Sequence, residues 1–334
     1  MRRRDSVHIR HRRQIMQEIP VYLFTGFMDS GKTTLIQETL IENGFSEDCD
    51  SCLIISCEDG DAEYDENALG KVHAKVVSVF DKENFTSETL TKFEDAYKPD
   101  AVFIEYNGTW ETDPLYEEGF LPKAWTIVQS LATVDASNFE VYMLNMRSMM
   151  QQQLAHADVI IFNRCDDETP KAKFRATVKA FNRPAQMVYE REDGTIDERE
   201  DELPFDINSD VIEISDMDYA LWFMDVMDNP KKYDGKTVSF LALVYNPTEG
   251  KGKLAPGTIV PGRFAMTCCV EDIQFLGIKC KYKDADQVLH KSWIKIKAKV
   301  KNEFCKEYKG KGPVLYPISI EAAEKPEDEL VYFN

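Results

Sequence analysis

The sequence has no apolar run near the ~20 residues that a membrane-spanning helix requires. One of its longest, FLALVY at residues 240–245, has the length of a strand. The basic N-terminus is not followed by the apolar stretch of an export signal, so a cytoplasmic protein, not integral to a membrane, is expected. On that reading the eight cysteines are reduced thiols, some of them candidate metal ligands, and not a disulfide scaffold. Positive charge is scarce: 40 Lys and Arg stand against 59 Asp and Glu, a net −19. Such a surface repels a phosphate backbone, and no nucleic-acid partner is expected. Of the five histidines, His8 and His11 fall in the N-terminal leader, and His73, His156 and His290 show no ligand spacing. No Ser-His-Asp arrangement can be assembled, and no internal repeat is present.

What remains is a chain of 334 residues, 43% hydrophobic and 30% charged, long enough for two domains that each bury a core. Its charge is uneven. Arg2, Arg3, Arg4, Arg10, Arg12 and Arg13 face only Asp5 and Glu18 in residues 1–18, a surplus of four that leaves −23 for the rest. These residues are expected to be a disordered leader or to precede a start at Met16, where the sequence leads directly into an apolar strand.

Residues 26–34, GFMDSGKTT, satisfy G-x-x-x-x-G-K-[ST] with Gly26, Gly31, Lys32 and Thr33 on the fixed positions. They follow Val21, Tyr22, Leu23 and Phe24 and precede Leu35, Ile36 and Leu40 at helical spacing. That strand, loop and helix setting is the one in which the motif binds phosphate. Glycines let successive N–H groups turn inward around an anion, and the helix aims the positive end of its dipole at it. Lys32 would reach the β- and γ-phosphates, and the Thr33 hydroxyl would hold Mg²⁺.

Beyond this loop, strand-like pieces (CLIISC, KVVSVF, AVFIEYNG, WTIVQSLATVD, DVIIFNRCDD) alternate with helical ones (SETLTKFEDAY, MRSMMQQQLAHA, KAKFRATVKAFN). The alternation predicts an α/β fold, a doubly wound, mostly parallel sheet with ligands at the carboxyl ends of its strands. Residues 190–202, EREDGTIDEREDE, read as a solvated acidic loop. The expected division is a leader at 1–18, a P-loop domain at 19–215, a linker helix at 216–234 closed by Asn229-Pro230, and an all-β domain at 235–334. In that last part KTVSFLALVY, RFAMTCCV, IKCKY, SWIKIKAKV and PVLYPISIEA are five short strands, which suit a small closed barrel of OB-like type.

Two acidic features and one loop extend the site. NRCD, residues 163–166, closes an apolar strand where a base-recognition loop belongs. In [NT]KxD loops the aspartate accepts two hydrogen bonds from guanine that adenine cannot supply, so Asn163 and Asp166 are expected to read guanine. Arg164 stands where lysine is usual, and its aliphatic stem can still lie along the base. Glu105, just ahead of Gly108, occupies the place of an acid that orders Mg²⁺ or orients the attacking water. In CEDGD, residues 57–61, Glu58 and Asp61 are candidates for Mg²⁺ or a second metal on a switch-like loop.

With these pieces placed, residues 19–189 resemble the CobW-like P-loop GTPases, a family that includes metallochaperones. The resemblance is carried by GFMDSGKTTLI, IEYNG, TVDASNF, QLAHADVIIFNRCDD and FNRPAQMVY. It implies a hydrolase that binds GTP or GDP with Mg²⁺ and couples hydrolysis to trafficking of a transition metal such as Zn²⁺ or Co²⁺. By match, Ser30, Gly31, Lys32, Thr33 and Thr34 hold phosphates, Asn163 and Asp166 read guanine, and Glu58 is the switch acid. Lys32, Glu58 and Glu105 are thus the catalytic candidates, and a metalloprotein client and a homodimer are the implied partners. Three departures stand out: Asp29 replaces a glycine, the CxCC metal motif is missing near residues 78–85, and the usual C-terminal domain is absent.

The remaining thiols are the alternative metal ligands. Cys49-x-x-Cys52 has ligand spacing, but Cys52 and Cys57 bracket a strand, and an offset of five puts them on opposite faces. Cys57 beside Glu58 is the better candidate, with small buried thiols as the competing reading. The C-terminal part resembles the soluble region of YcgQ-like proteins, which are associated with permeases, through Arg263, Cys268, Cys269, Asp272 and Trp293. Cys268 or Cys269 with Asp272 and Cys280 is a second candidate metal set. The alternative function is accordingly a metal-independent GTPase switch acting with a membrane permease complex.

Overall fold

The structure, a computed structural model, describes residues 18–43, 45, 49–247, 252, 254–266 and 273–333. Residues 1–17 of the N-terminal leader therefore lie outside the described residues. The chain divides into two compact units between Thr133 and Val134.

In the first unit β1 (Ile19–Thr25), α1 (Lys32–Ile41), β2 (Cys52–Ser56), α2 (Glu66–Lys71), β3 (Ala74–Ser78), α3 (Ser87–Tyr97) and β4 (Ala101–Glu105) precede β5 (Trp125–Asp135), inside which the division falls. β2 and β4 are buried along their whole length, which is why they read as unbroken apolar runs. Alternate residues feed two cores. Phe24, Cys52, Ile54 and Phe103 pack with Ile36 and Leu40 of α1, while Leu23, Leu53, Ile55 and Ile104 pack with Leu90 of α3. Helix α3 starts at Thr86, whose hydroxyl accepts the Thr89 N–H. It ends at Lys98, left-handed at φ +47, ahead of Pro99, which cannot continue a helix.

The second unit continues with α4 (Phe139–Asn145), α5 (Arg147–Ala155), β6 (Val159–Cys165), α6 (Lys171–Lys179) and β7 (Gln186–Arg191). The sheet order is β3-β2-β4-β1-β5-β6-β7, and every pairing with a described register is parallel. This is the doubly wound arrangement expected from the alternating pattern.

β8 (Ile212–Glu213) and α7 (Tyr219–Asp228, closed at Asn229) lead into β9 (Thr237–Tyr245), β10 (Thr258–Met266), β11 (Ile273–Gly277), β12 (Cys280–Lys281), β13 (Trp293–Cys305), β14 (Gly310–Ala322) and β15 (Leu330–Tyr332). β9 pairs with β10 and β13, β13 with β14, β14 with β12, and β12 with β10. The ring closes, and its members are the five strands expected from the sequence. β12 and β14 run parallel, and the other ring pairings are antiparallel. Val238, Phe240, Ala242, Ile294, Ile296, Ala298, Val300 and Leu315 share one apolar core with Trp222 and Tyr219 of α7. β8, β11 and β15 are additions on β9 and β10. Among the described residues no helix is long and apolar enough to cross a membrane.

Candidate functional site

β1 delivers the chain at Thr25 to the glycine loop, and α1 begins at Lys32. Backbone presses on this loop from two sides. Gly26 has φ +124, and a Cβ there would lie 2.2 Å from the Thr133 carbonyl oxygen. A Cβ on Gly108 would fall 2.5 Å from the Gly26 oxygen and 2.6 Å from Phe27 Cα. Neither position admits a side chain. The loop is also tied through Ser30 Oγ, 2.7 Å from Thr133 Oγ1.

Lys32 is buried and fully engaged. Its Nζ donates to the carbonyls of Gly26 and Phe27, both at 2.8 Å, and pairs with Glu58 Oε2 at 2.6 Å. Glu58 Oε1 accepts the Gly108 N–H at 2.6 Å, so this carboxylate joins the lysine to the loop after β4. Thr33 Oγ1 donates to Glu105 Oε1 at 2.5 Å. The other oxygen of Glu105 accepts from Ser56 Oγ at 2.7 Å and from the Tyr64 hydroxyl at 3.0 Å. Burial, reinforced by the Glu105 charge, pushes the Tyr64 phenol well up and keeps it a donor. Lys32, Thr33, Glu58 and Glu105, named from sequence, thus converge. Ser56, Tyr64 and Thr133 were not foreseen; Ser56 is legible only as the last strand residue beside the acidic loop. Thr34 faces outward from α1.

Asp29 has φ +58, a conformation that favours glycine. Its Oδ1 accepts the Asp61 N–H at 3.2 Å, which ties this carboxylate to the acidic loop. Asp61 is exposed and takes part here through its main chain.

Thr33, Ser56 and Glu105 offer hydroxyl and carboxylate oxygens, a hard donor set that suits Mg²⁺. The thiols behave differently. Cys57 is fully buried in the cluster of Leu53, Ile55 and Trp110. Burial, with the Glu105 and Glu58 charges added, pushes its thiol well up and keeps the proton on it. Cys52 belongs to the opposite core, as the strand alternation requires, and burial with the neighbouring Cys49 takes it to about 12. Cys268, Cys269 and Asp272 lie outside the described residues, and Cys280 is buried within the barrel core. Among the described residues no three His, Cys, Asp or Glu side chains gather as a group that could hold a metal.

In the second unit the base-loop candidates sit at the end of β6. The Asn163 carbonyl accepts the Ala136 N–H at 3.0 Å. Arg164 has φ +55, and its Nη1 pairs with Asp135 Oδ2 at 2.5 Å. Burial alone would raise the Asp135 carboxyl, but the Ser137 and Arg164 contacts outweigh it and hold it below its ordinary value. Asp166 Oδ1 accepts the Glu168 N–H and the Thr169 hydroxyl, both at 3.0 Å.

The solvated reading of residues 190–202 needs correction. The Asp197 side chain is 1% exposed and lies 3.5 Å from Lys171 Nζ. It accepts from the Arg199 guanidinium, which in turn donates to the Asp166 and Asp167 carbonyls. A strongly acidic composition concealed one buried carboxylate with two cationic partners.

A glycine loop between strand and helix, a buried lysine on its carbonyls, and a following threonine bonded to a strand-end acid define a P-loop nucleotide-binding domain. The nucleotide-binding domain family described as CobW/HypB/UreG matches residues 20–189, just over half of the chain, and the chain belongs to that family. Residues 189–333 match the DUF1980 C-terminal domain. No curated protein matches. Among solved structures, a Zn(II)-bound triple mutant of the YjiA GTPase is 19% identical, with a TM-score of 0.42 over 68% of this chain and 72% of that one. The hydrogenase maturation factor HypB from Archaeoglobus fulgidus is 15% identical, at 0.37 over 53% and 82%. FlhF complexed with GMPPNP and Mg²⁺ is 14% identical, at 0.33 over 53% and 67%. Likenesses this distant do not bear on the chain's chemistry.

Proposed function

We propose that the chain binds and hydrolyses GTP with Mg²⁺, and that its nucleotide state is coupled to transition-metal trafficking. The carrying observation is the constellation of Lys32, Thr33, Glu58 and Glu105 around the glycine loop. In this reading the N–H groups of residues 30–34 and the Lys32 ammonium bind the phosphates. Thr33 and Glu105 would hold Mg²⁺, which when bound would supply charge neutralisation for the transferring phosphoryl group. Glu58 moves between Lys32 and the attacking water, and Asn163 and Asp166 select guanine. Zn²⁺ or Co²⁺ as cargo follows from the family resemblance alone. The metal-independent switch beside a permease complex is the competing use of the same hydrolysis, and it follows from the C-terminal resemblance.

Phosphate release from GTP, measured with and without Mg²⁺, tests the enzymatic half. Mg²⁺-dependent turnover that disappears in Thr33→Ala supports it, and turnover indifferent to that substitution contradicts it. Titration of Zn²⁺ and Co²⁺ in the presence of GDP or a non-hydrolysable GTP analogue tests the metal half. Nucleotide-dependent stoichiometric binding supports metal trafficking, and its absence favours the metal-independent switch.

A further inference from the structure

Among the described residues, the charged cluster built on the buried Asp197 carboxylate is left unused by the proposed hydrolysis. Arg199 binds Asp197 through one edge, Nε to Oδ1 at 2.9 Å and Nη2 to Oδ2 at 2.6 Å. The far side of the same guanidinium holds the chain that follows Asn163. Nη2 donates to the Asp166 carbonyl at 2.7 Å and Nη1 to the Asp167 carbonyl at 3.2 Å. Nη1 also lies 3.0 Å from Asp167 Oδ1, which accepts from Arg191 Nη2 at 2.7 Å. Asp197 is anchored in turn by Lys171, in the first turn of α6, whose side chain is 5% exposed.

These contacts have a direction. Asp166 and Asp167 are gripped by their main-chain carbonyls, so the grip fixes where the backbone lies. Arg199, which grips them, and Asp197, which holds Arg199, belong to the region that matches the DUF1980 C-terminal domain, while the residues gripped belong to the CobW/HypB/UreG match. The planar fork of a guanidinium spreads its donors over two edges, so one edge holds the carboxylate while the other reaches two successive carbonyls; the single nitrogen of a lysine lacks that fixed spread.

We propose that Asp197 and Arg199 are positioning residues for the base loop, through which the C-terminal region sets base selectivity and nucleotide release. The inference rests on the reading of Asn163 and Asp166 as guanine contacts. A bidentate base contact gives about a ten- to hundredfold preference, and a backbone displaced by a fraction of its hydrogen-bond length forfeits it. Arg199→Ala is therefore expected to weaken GDP binding about tenfold, mostly through faster release, and to shrink the preference for GDP over ADP by the same factor. Arg199→Lys, which keeps the charge without the fork, should fall between.

The test compares full-length wild type with Arg199→Ala and Arg199→Lys, titrated with GDP, ADP and inorganic tripolyphosphate. Tripolyphosphate engages the glycine loop and carries no base. A loss for GDP with tripolyphosphate affinity unchanged supports positioning. An equal loss for both, or no loss for either, overturns it. Amide hydrogen exchange at residues 166–169 gives a readout that needs no nucleotide, and it separates this proposal from the guanine reading. Exchange is expected to quicken in Arg199→Ala, and unchanged exchange overturns the proposal even if guanine is preferred. A wild type indifferent to the base, with quickened exchange in the variant, refutes the guanine reading and leaves Arg199 as the residue that holds the loop.

Discussion

Substituting Glu58 by Gln separates what this acid does for the lysine from what it does for the nucleotide. Its carboxylate has two partners, the Lys32 ammonium at 2.6 Å and the Gly108 N–H at 2.6 Å. The pair is buried, with side-chain exposures of 2% and 5%. A glutamine of the same shape keeps one of these bonds. If its oxygen stays on Gly108, its NH₂ faces the ammonium, donor against donor. Lys32 then retains the Gly26 and Phe27 carbonyls but has lost its anion. Breaking a buried pair costs roughly 3–5 kcal/mol, and the two remaining carbonyl bonds place the loss near the lower end, about 3 kcal/mol. At roughly 2–4 °C per kcal/mol in domains of this size, the nucleotide-free protein should melt about 6–12 °C lower. A bound phosphate restores an anion to Lys32 and no longer competes with Glu58 for it. If it recovers about half of the loss, near 1.4 kcal/mol, GDP binds about tenfold more tightly. The assay is thermal unfolding with and without GDP, beside a direct affinity measurement. A variant with unchanged nucleotide-free melting and weaker GDP binding would refute the reasoning, because Glu58 would then serve the nucleotide and not hold the lysine.

Two further outcomes follow from the same geometry. Gly26→Ala places a Cβ 2.2 Å from the Thr133 oxygen, so the loop must shift; since displacement of about 1 Å costs near a hundredfold in rate, GTP turnover should fall by about that factor while far-UV circular dichroism is unchanged. Wild-type turnover in this variant would contradict the placement of the loop. Burial takes the Cys52 and Cys280 thiols to about 12. Their folded values lie above their unfolded ones, so the stability they contribute is complete below the ordinary thiol range and is lost as pH rises toward 12. At pH 8 only about one in ten thousand of such thiols is ionised. Iodoacetamide followed by peptide mass spectrometry should therefore label half-exposed Cys49 well before either, and fast labelling of native Cys52 would show that burial does not hold its proton.

The phosphate end was legible because its determinants are local. Gly26, Gly31, Lys32 and Thr33 sit within one loop and helix start, and their spacing encodes the turn. The five ring strands were legible through the alternation that sends Ile294, Ile296, Ala298 and Val300 inward while Lys295, Lys299 and Lys301 stay exposed. The rest depended on distant partners. Nothing near Tyr64 in the sequence says that its hydroxyl reaches Glu105, and nothing near Thr133 says that it borders the glycine loop. Asp197 was lost in its surroundings, because a carboxylate among many exposed carboxylates shows no local sign of burial. Arg164, read as a stem lying along a base, has its head group on Asp135, a contact that only the fold reveals.

Guanine selectivity is the central claim, and equilibrium titration of wild-type protein with GDP and ADP in the presence of Mg²⁺ tests it most directly. The account predicts that both bind through their phosphates and that GDP binds about ten- to hundredfold more tightly. Equal affinities, or a preference for ADP, would contradict the assignment of Asn163 and Asp166.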